Sequence, residues 1–155
     1  AKNDNVINFT TYVGKQTKAA VEGTALPAKA EFGVFAYNTK EALWNASATS
    51  ATPNFMYNQK VTFDGANYTY SPVKYWPNAE KVSFIGYYPF PTETNGVSVS
   101  STFTNKSTGL PKIEFTIPSS ENGVTSIFVS SRMISPLRGT GTVFSFVYGH
   151  INMKT

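Results

Sequence analysis

The chain has 155 residues, about the length of one domain, and its 41% hydrophobic and 15% aromatic content excludes an intrinsically disordered chain. The formal net charge is +4, but the lysines are scattered and Arg132 and Arg138 are the only arginines, so nucleic-acid binding is not indicated. The absence of cysteine excludes a disulfide framework, and no window reaches the ~20 apolar residues of a membrane-spanning helix.

The first predicted strand lies near the beginning of the chain, in NVINFTTYV (Asn5 to Val13). Apolar and polar residues alternate there with the period of two that is typical of a half-buried strand, which places Ile7, Phe9 and Val13 on one face. The next segment, Gly14 to Ala30, is small and polar without a clear pattern, so we predict a mobile connection.

The second predicted strand is EFGVFAY (Glu31 to Tyr37), which is apolar on both faces and therefore favours a central position in a sheet. Its apolar side chains alternate between the two faces: Phe32, Val34 and Ala36, then Phe35 and Tyr37. The following KEALW (Lys40 to Trp44) is compatible with one helical turn, and the Ser/Thr/Ala-rich run after it indicates a loop.

A β-hairpin is predicted in QKVTFDGANYTY (Gln59 to Tyr70). Asp-Gly between two alternating runs favours a two-residue type I′ turn, because both central positions of that turn need positive φ. In this register Val61 faces Tyr68 and Phe63 faces Ala66.

Four further strands are predicted, and they complete a chain with almost no helical period: Lys81 to Tyr88, Lys112 to Ile117, Thr125 to Ser131 and Thr142 to Tyr148. Short strands separated by turn residues predict an antiparallel β-sandwich or barrel. Because no internal repeat or linker divides the chain, residues 1–155 are predicted to form a single domain.

No group of residues indicates catalysis. His150 is the only histidine, it lies near the end of the last predicted strand, and no nucleophile-elbow motif accompanies it, so a Ser-His-Asp triad is not indicated. One histidine without cysteine argues against a transition-metal site, and the nine carboxylates show no pairing that acid–base chemistry would need. We therefore predict a protein that is not an enzyme and has no cofactor or metal.

Trp44 and Trp76 allow two interpretations. Exposed aromatic faces can stack on sugar rings, which would make both residues candidates for ligand stacking. The alternative is that they fill the core of the β fold or its rim, as such side chains commonly do.

Four segments spread over nearly the whole chain carry a family resemblance: Phe32 to Tyr37, Tyr70 to Pro77 (YSPVKYWP), Phe84 to Pro89 and Phe144 to Lys154. Any one of them alone is a weak signal, but together they are fairly specific. On these segments the chain resembles the N-terminal half of a fimbrillin-like protein of the Mfa-like group of Bacteroidetes bacteria.

The resemblance implies a β-sandwich of transthyretin-like topology with about seven strands, in a protein that typically has two such domains. It also implies an extracellular position at the outer membrane and a role as stalk, tip or anchor subunit of a type V pilus. Residues 1–155 are then expected to be the N-terminal half of a two-domain lipoprotein. Because the first residue is Ala1 rather than Met, its signal and lipid anchor would lie upstream.

The resemblance further implies assembly with other pilus subunits by β-strand addition. In polymerising members a protease removes the N-terminal strand, and the vacated groove accepts a strand from another subunit. Here the exchangeable strand would be the one that carries Ile7, Phe9 and Val13. Lys15 and Lys18 are the candidate processing sites, although known sites in the family follow arginine.

Two hypotheses therefore remain open for the function. The first is a non-catalytic pilus subunit that assembles by strand exchange, for which an exposed sheet edge is a suitable template. The second is a surface adhesin that binds a glycan or a host protein through Trp44 and Trp76.

Overall fold

Strands make up nearly all of the regular structure in this computed structural model. It describes residues 6–13, 29–115, 124–130 and 142–152, without the side chains of 10–13, 115, 124–130 and 142–152. In chain order the elements are β1 (Phe9–Val13), β2 (Glu31–Lys40), α1 (Trp44–Ser47), β3 (Met56–Phe63), β4 (Tyr68–Thr69), β5 (Lys81–Tyr88), β6 (Val97–Val99), β7 (Ile113–Phe115), β8 (Val124–Ser130) and β9 (Thr142–Asn152).

The strands form one large and one small sheet. The large sheet has seven strands in the order β1-β9-β8-β5-β2-β3-β4, and β6 pairs with β7 in the small one. Every pairing is antiparallel except that of β1 with β9, which is parallel. The prediction of an all-β, mainly antiparallel fold is confirmed, while the sandwich with transthyretin-like topology stays a prediction.

β2 is a central strand of the large sheet, as its two apolar faces predict, and lies between β5 and β3. Its alternate side chains enter two separate cores. The main core contains Phe32, Val34 and Ala36 together with residues of β1, β3 and β5. The second core contains Phe35 and Tyr37.

The second core is closed by the segment 97–113, which includes β6 and the first residue of β7. Tyr37 donates a hydrogen bond to the carbonyl of Gly109 (2.8 Å), and Tyr57 donates one to the carbonyl of Phe103 (2.6 Å). These two phenols tie the segment to the face of the sheet opposite the main core. The helical turn predicted at Lys40 to Trp44 forms slightly later, as the four-residue helix α1 (Trp44–Ser47).

The predicted two-residue hairpin turn is wrong. Phe63 pairs with Tyr68, so four residues, 64–67, form the loop. The carboxylate of Asp64 accepts hydrogen bonds from the amides of Ala66 (2.8 Å) and Asn67 (2.7 Å), which stabilises this wider turn. The wider turn also stacks the rings of Phe63 and Tyr68 at 4.6 Å, where the predicted register would have placed alanine opposite Phe63.

The remaining predicted strands are found with small differences in their ends. β5 has the predicted bounds, and β8 lies one residue earlier than predicted, from Val124 to Ser130. β9 continues to Asn152, which places His150 within it, opposite Ser126 of β8. The predicted connection from Gly14 to Ala30 lies mostly outside the described residues.

Candidate functional site: the slot around the first strand

The first strand segment, residues 6–13, lies where the two edges of the large sheet come together. On one side β1 pairs with β9 over five residues, from Phe9 opposite Thr142 to Val13 opposite Phe146. The other side contacts the segment from Tyr70 to Tyr75, which follows β4 at the far end of the strand order and which we call the facing segment. We call the space that the first strand segment fills the slot.

Two side chains of the first strand segment enter the main core. Ile7 is fully buried and Phe9 is 3% exposed, whereas Asn8 between them is exposed. This is the alternation that the sequence predicts for Ile7 and Phe9. The side chain of Val13, the third residue predicted on this face, lies outside the described part of the structure.

The ring of Phe9 is enclosed by three other aromatic rings, which we call the aromatic box. Its centroid lies 6.2 Å from Phe32, 5.1 Å from Tyr70 and 6.2 Å from Phe84. All three contacts are edge-on, with interplanar angles of 89°, 68° and 82°. Such contacts are favourable because the positive edge of one ring meets the negative face of another.

The Tyr70 hydroxyl completes the backbone pairing between the first strand segment and the facing segment. Val6 bridges Tyr75 in antiparallel fashion, which places Ile7 opposite Lys74. A close antiparallel pair exchanges two hydrogen bonds, and one is direct, from the Ile7 amide to the Lys74 carbonyl (3.0 Å). The other passes through Tyr70, whose hydroxyl accepts from the Lys74 amide (3.2 Å) and donates to the Ile7 carbonyl (2.6 Å). We call this arrangement the hydroxyl relay.

Burial widens the pH range over which the relay keeps its proton. Removal from water raises the pKa of the Tyr70 phenol, and the hydrogen bond from the Lys74 amide opposes this shift only in part. The phenol therefore stays protonated near neutral pH and keeps the proton that it donates to Ile7.

The predicted processing residues, Lys15 and Lys18, lie outside the described residues. They follow the slot closely in sequence, because the first strand segment ends at Val13.

Of the two interpretations of Trp76, burial favours the one in which it fills the core rather than offering an exposed face for ligand stacking. Trp76 is 8% exposed and packs edge-on against Phe84 at 5.7 Å, so it belongs to the main core. Its indole nitrogen is the one buried side-chain N or O atom in the described part without a hydrogen-bond partner. Trp44 is partly exposed, and it packs against Tyr37 at 5.0 Å beside the second core. Glycan binding through the two tryptophans therefore lacks one of its two predicted residues.

Within the described ranges no three His, Cys, Asp or Glu side chains come close enough to hold a metal ion. Charged contacts there are at the surface: hydrogen bonds from Asn38 and Lys40 lower the pKa of Glu80, which is partly exposed to solvent. None of the helices in the described part is both long and apolar enough to span a membrane.

Sequence reasoning identified the first strand but not the relay. The phrase from Tyr70 to Pro77 stood out only through its resemblance, and no local pattern shows that Tyr70 reaches Ile7 across 63 positions of sequence. A tyrosine at the end of an amphipathic hairpin was the only available signal.

Comparison with known proteins points to one family. A family model described as fimbrillin-like matches residues 17–128, which includes the facing segment but not the first strand segment. The chain is 32% identical over 123 residues to the fimbrium subunit Fim1C of Phocaeicola vulgatus, an alignment that covers 77% of this chain and 32% of that protein. The chain thus spans about a third of the length of this curated relative.

A solved structure shows the same fold. A fimbrial protein from Bacteroides vulgatus superposes with a TM-score of 0.67 at 22% identity, over 95% of this chain and 45% of that one. A fimbrial protein from Bacteroides ovatus gives a TM-score of 0.48 at 14% identity, over 97% of this chain and 29% of that one.

Proposed function

Because this chain belongs to the fimbrillin-like family, we propose that it is a non-catalytic structural subunit of a bacterial surface pilus. The curated relative is named as a fimbrium subunit, and the structural neighbours are fimbrial proteins. Partners would then be other subunits of the same appendage, and the location would be the cell surface.

We further propose that the subunit assembles by exchange of its first strand. The observation that carries this proposal is the position of residues 6–13 between β9 and the facing segment. Removal of this segment would leave β9 and the facing segment with unpaired backbone groups on the two sides of an open slot. Unpaired edges of this kind accept a strand from another chain.

The energetics favour a filled slot. Ile7 and Phe9 are almost completely buried, and burial of such side chains contributes roughly 1.5–3 kcal/mol each. Each backbone hydrogen bond to the segment adds about 0.5–1.5 kcal/mol. An empty slot is therefore unfavourable by several kcal/mol, which would drive capture of a replacement strand.

Limited trypsin treatment of the full chain tests this proposal. Cleavage after Lys15 or Lys18 should release the first strand under mild denaturant, and removal of the denaturant should convert the monomer to oligomers. Size-exclusion chromatography with light scattering measures the conversion. A synthetic peptide of residues 6–13 should block it by refilling the slot.

The matched control carries Lys15→Gln, Lys18→Gln and Lys29→Gln, which removes the tryptic sites between the first strand and β2 and leaves the slot unchanged. It should stay monomeric through the same treatment. Strand exchange is refuted if the cleaved protein loses residues 1–15 and remains folded and monomeric across a wide range of concentrations.

A further inference from the structure

We infer that the slot selects its occupant by a three-residue pattern, aliphatic–any–aromatic, while the Tyr70 hydroxyl fixes the register of that occupant. This inference rests on the proposed function, because it describes the strand that a vacated slot would accept. The two halves of the inference depend on different atoms, the aromatic box for the pattern and the hydroxyl relay for the register.

The aromatic preference comes from the surroundings of Phe9. The ring centroids of Phe32, Tyr70 and Phe84 lie within 6.2 Å of its own centroid, and Phe9 is 3% exposed. A leucine in its place would keep apolar burial but lose the edge-on geometry, and an alanine would leave a cavity among three rings. The box therefore favours an aromatic residue in any strand that fills it.

The aliphatic position is defined by Ile7. Its side chain is fully buried, and both of its backbone polar groups are bonded to the facing segment. Proline is excluded there because the Ile7 amide donates to the Lys74 carbonyl. The next residue, Asn8, is exposed, so the middle position of the pattern is free to vary.

The hydroxyl relay contacts only the backbone of the bound strand and none of its side chains. Every residue of an incoming strand offers a carbonyl, but the Tyr70 hydroxyl reaches the carbonyl opposite Lys74. A slip of one residue would turn the carbonyl opposite Lys74 to the other edge of the strand, away from the Tyr70 hydroxyl, and would turn polar side chains such as Asn8 into the core. A slip of two would place a different residue in the aromatic box. The relay and the box therefore agree in only one register.

The register is tested in the intact chain by amide hydrogen exchange. Tyr70→Phe keeps the ring in the aromatic box and removes only the relay. We expect the Ile7 amide to exchange about tenfold faster, since one buried hydrogen-bond relay is lost. Tyr57→Phe is the matched control, because it removes a phenol hydroxyl from the second core and should leave the exchange of Ile7 within about twofold. Equal exchange of Ile7 in both variants would overturn the register half of the inference.

The pattern is tested by peptide competition. A full chain cleaved between residues 14 and 28, with its first strand still bound, is incubated with labelled peptides of residues 6–13. The Asn8→Ala peptide should compete within about threefold of the natural sequence. Phe9→Leu should be about tenfold weaker and Phe9→Ala about 100-fold weaker, since a ring is lost from a closed site. A Phe9→Ala peptide that competes as well as the natural one would overturn the pattern.

These experiments distinguish a failure of strand exchange from a failure of the aliphatic–any–aromatic pattern. If no peptide binds in the slot, not even the one with the natural sequence, strand exchange is refuted. The residue pattern is then tested by hydrogen exchange in the intact chain. There Phe9→Ala should raise the exchange rate of the Ile7 amide far more than Phe9→Leu, and Asn8→Ala should leave it unchanged. Equal rates in Phe9→Ala and Asn8→Ala would overturn the pattern by itself.

Discussion

Replacement of Gly33 by alanine should destabilise this fold, although alanine is ordinarily the better residue inside a strand. Gly33 lies in β2 directly opposite Tyr87 of β5. A Cβ at Gly33 would overlap the ring of Tyr87 at its Cε1, Cζ and Oη atoms. The ring has little room to withdraw, because Tyr87 is 1% exposed and its hydroxyl donates to the side-chain oxygen of Asn58.

The magnitude follows from three opposing effects. Alanine in place of glycine stabilises a strand interior by roughly 0.5–1 kcal/mol through the unfolded state. Overpacking a tight site costs about 1–3 kcal/mol, and loss of the bond between Tyr87 and Asn58 costs about 0.5–1.5 kcal/mol more. The sum is a loss of about 2 kcal/mol, opposite in sign to the effect of propensity alone.

Urea unfolding, followed by tryptophan fluorescence, measures this change and its cause. The same Gly33→Ala substitution in a Tyr87→Val background should be neutral or stabilising by up to about 1 kcal/mol, because the ring that it meets is gone. The difference between the two backgrounds isolates the contact between Gly33 and Tyr87. An equal loss in both backgrounds, or a gain in the natural one, would refute this reasoning.

Three further predictions concern other groups. Burial raises the pKa of Tyr37 and Tyr87 above the value of about 10 that a tyrosine has in the unfolded chain. Their contribution to the free energy of unfolding is therefore complete below about pH 10 and falls above it, by about 1.4 kcal/mol per pH unit for each residue. Urea titration from about pH 8 to 11 measures this loss, and constant stability over that range would contradict it. Asp64→Ala should lower the urea midpoint because the 64–67 loop loses two hydrogen bonds, and Asp64→Asn, which keeps an acceptor oxygen, should lower it less. Trp76→Phe should change the free energy of unfolding by at most about 1 kcal/mol, because the gain from removing a buried donor without a partner offsets the loss of ring volume. Trp76→Ala, which removes the whole ring, should cost about 3–5 kcal/mol.

Much of the fold could be predicted from the period of two along each strand. The two apolar faces of Glu31 to Tyr37 predict a central strand, and the structure places β2 there with its side chains divided between two cores. For the hairpin, the predicted turn was wrong, but the predicted division of side chains between the two faces was correct. Observed and predicted partners of Phe63 differ by two residues, which leaves Val61 and Tyr68 on the same side. Local patterns therefore fix faces more reliably than they fix loop length.

The site could be predicted only in part, because it depends on contacts between distant segments. The alternation at Ile7 and Phe9 predicts burial, but the rings around Phe9 come from β2, β5 and the facing segment. Trp44 and Trp76 illustrate the same limit. Both tryptophans lie in connections between predicted strands, and only the tertiary fold shows that Trp76 is in the main core while Trp44 is partly exposed.

The depth at which the first strand is buried is what makes its removal consequential. A strand that lay loosely on the surface would leave no unpaired edge and no apolar cavity behind, so its loss would create no binding site. Ile7 and Phe9 instead occupy the main core, and the backbone of the segment is bonded on one side to β9 and on the other to Lys74 and Tyr70. The same contacts that stabilise the intact chain would therefore become the contacts available to a replacement strand. An occupant that matched fewer of them would bind less tightly than the segment that the chain already supplies.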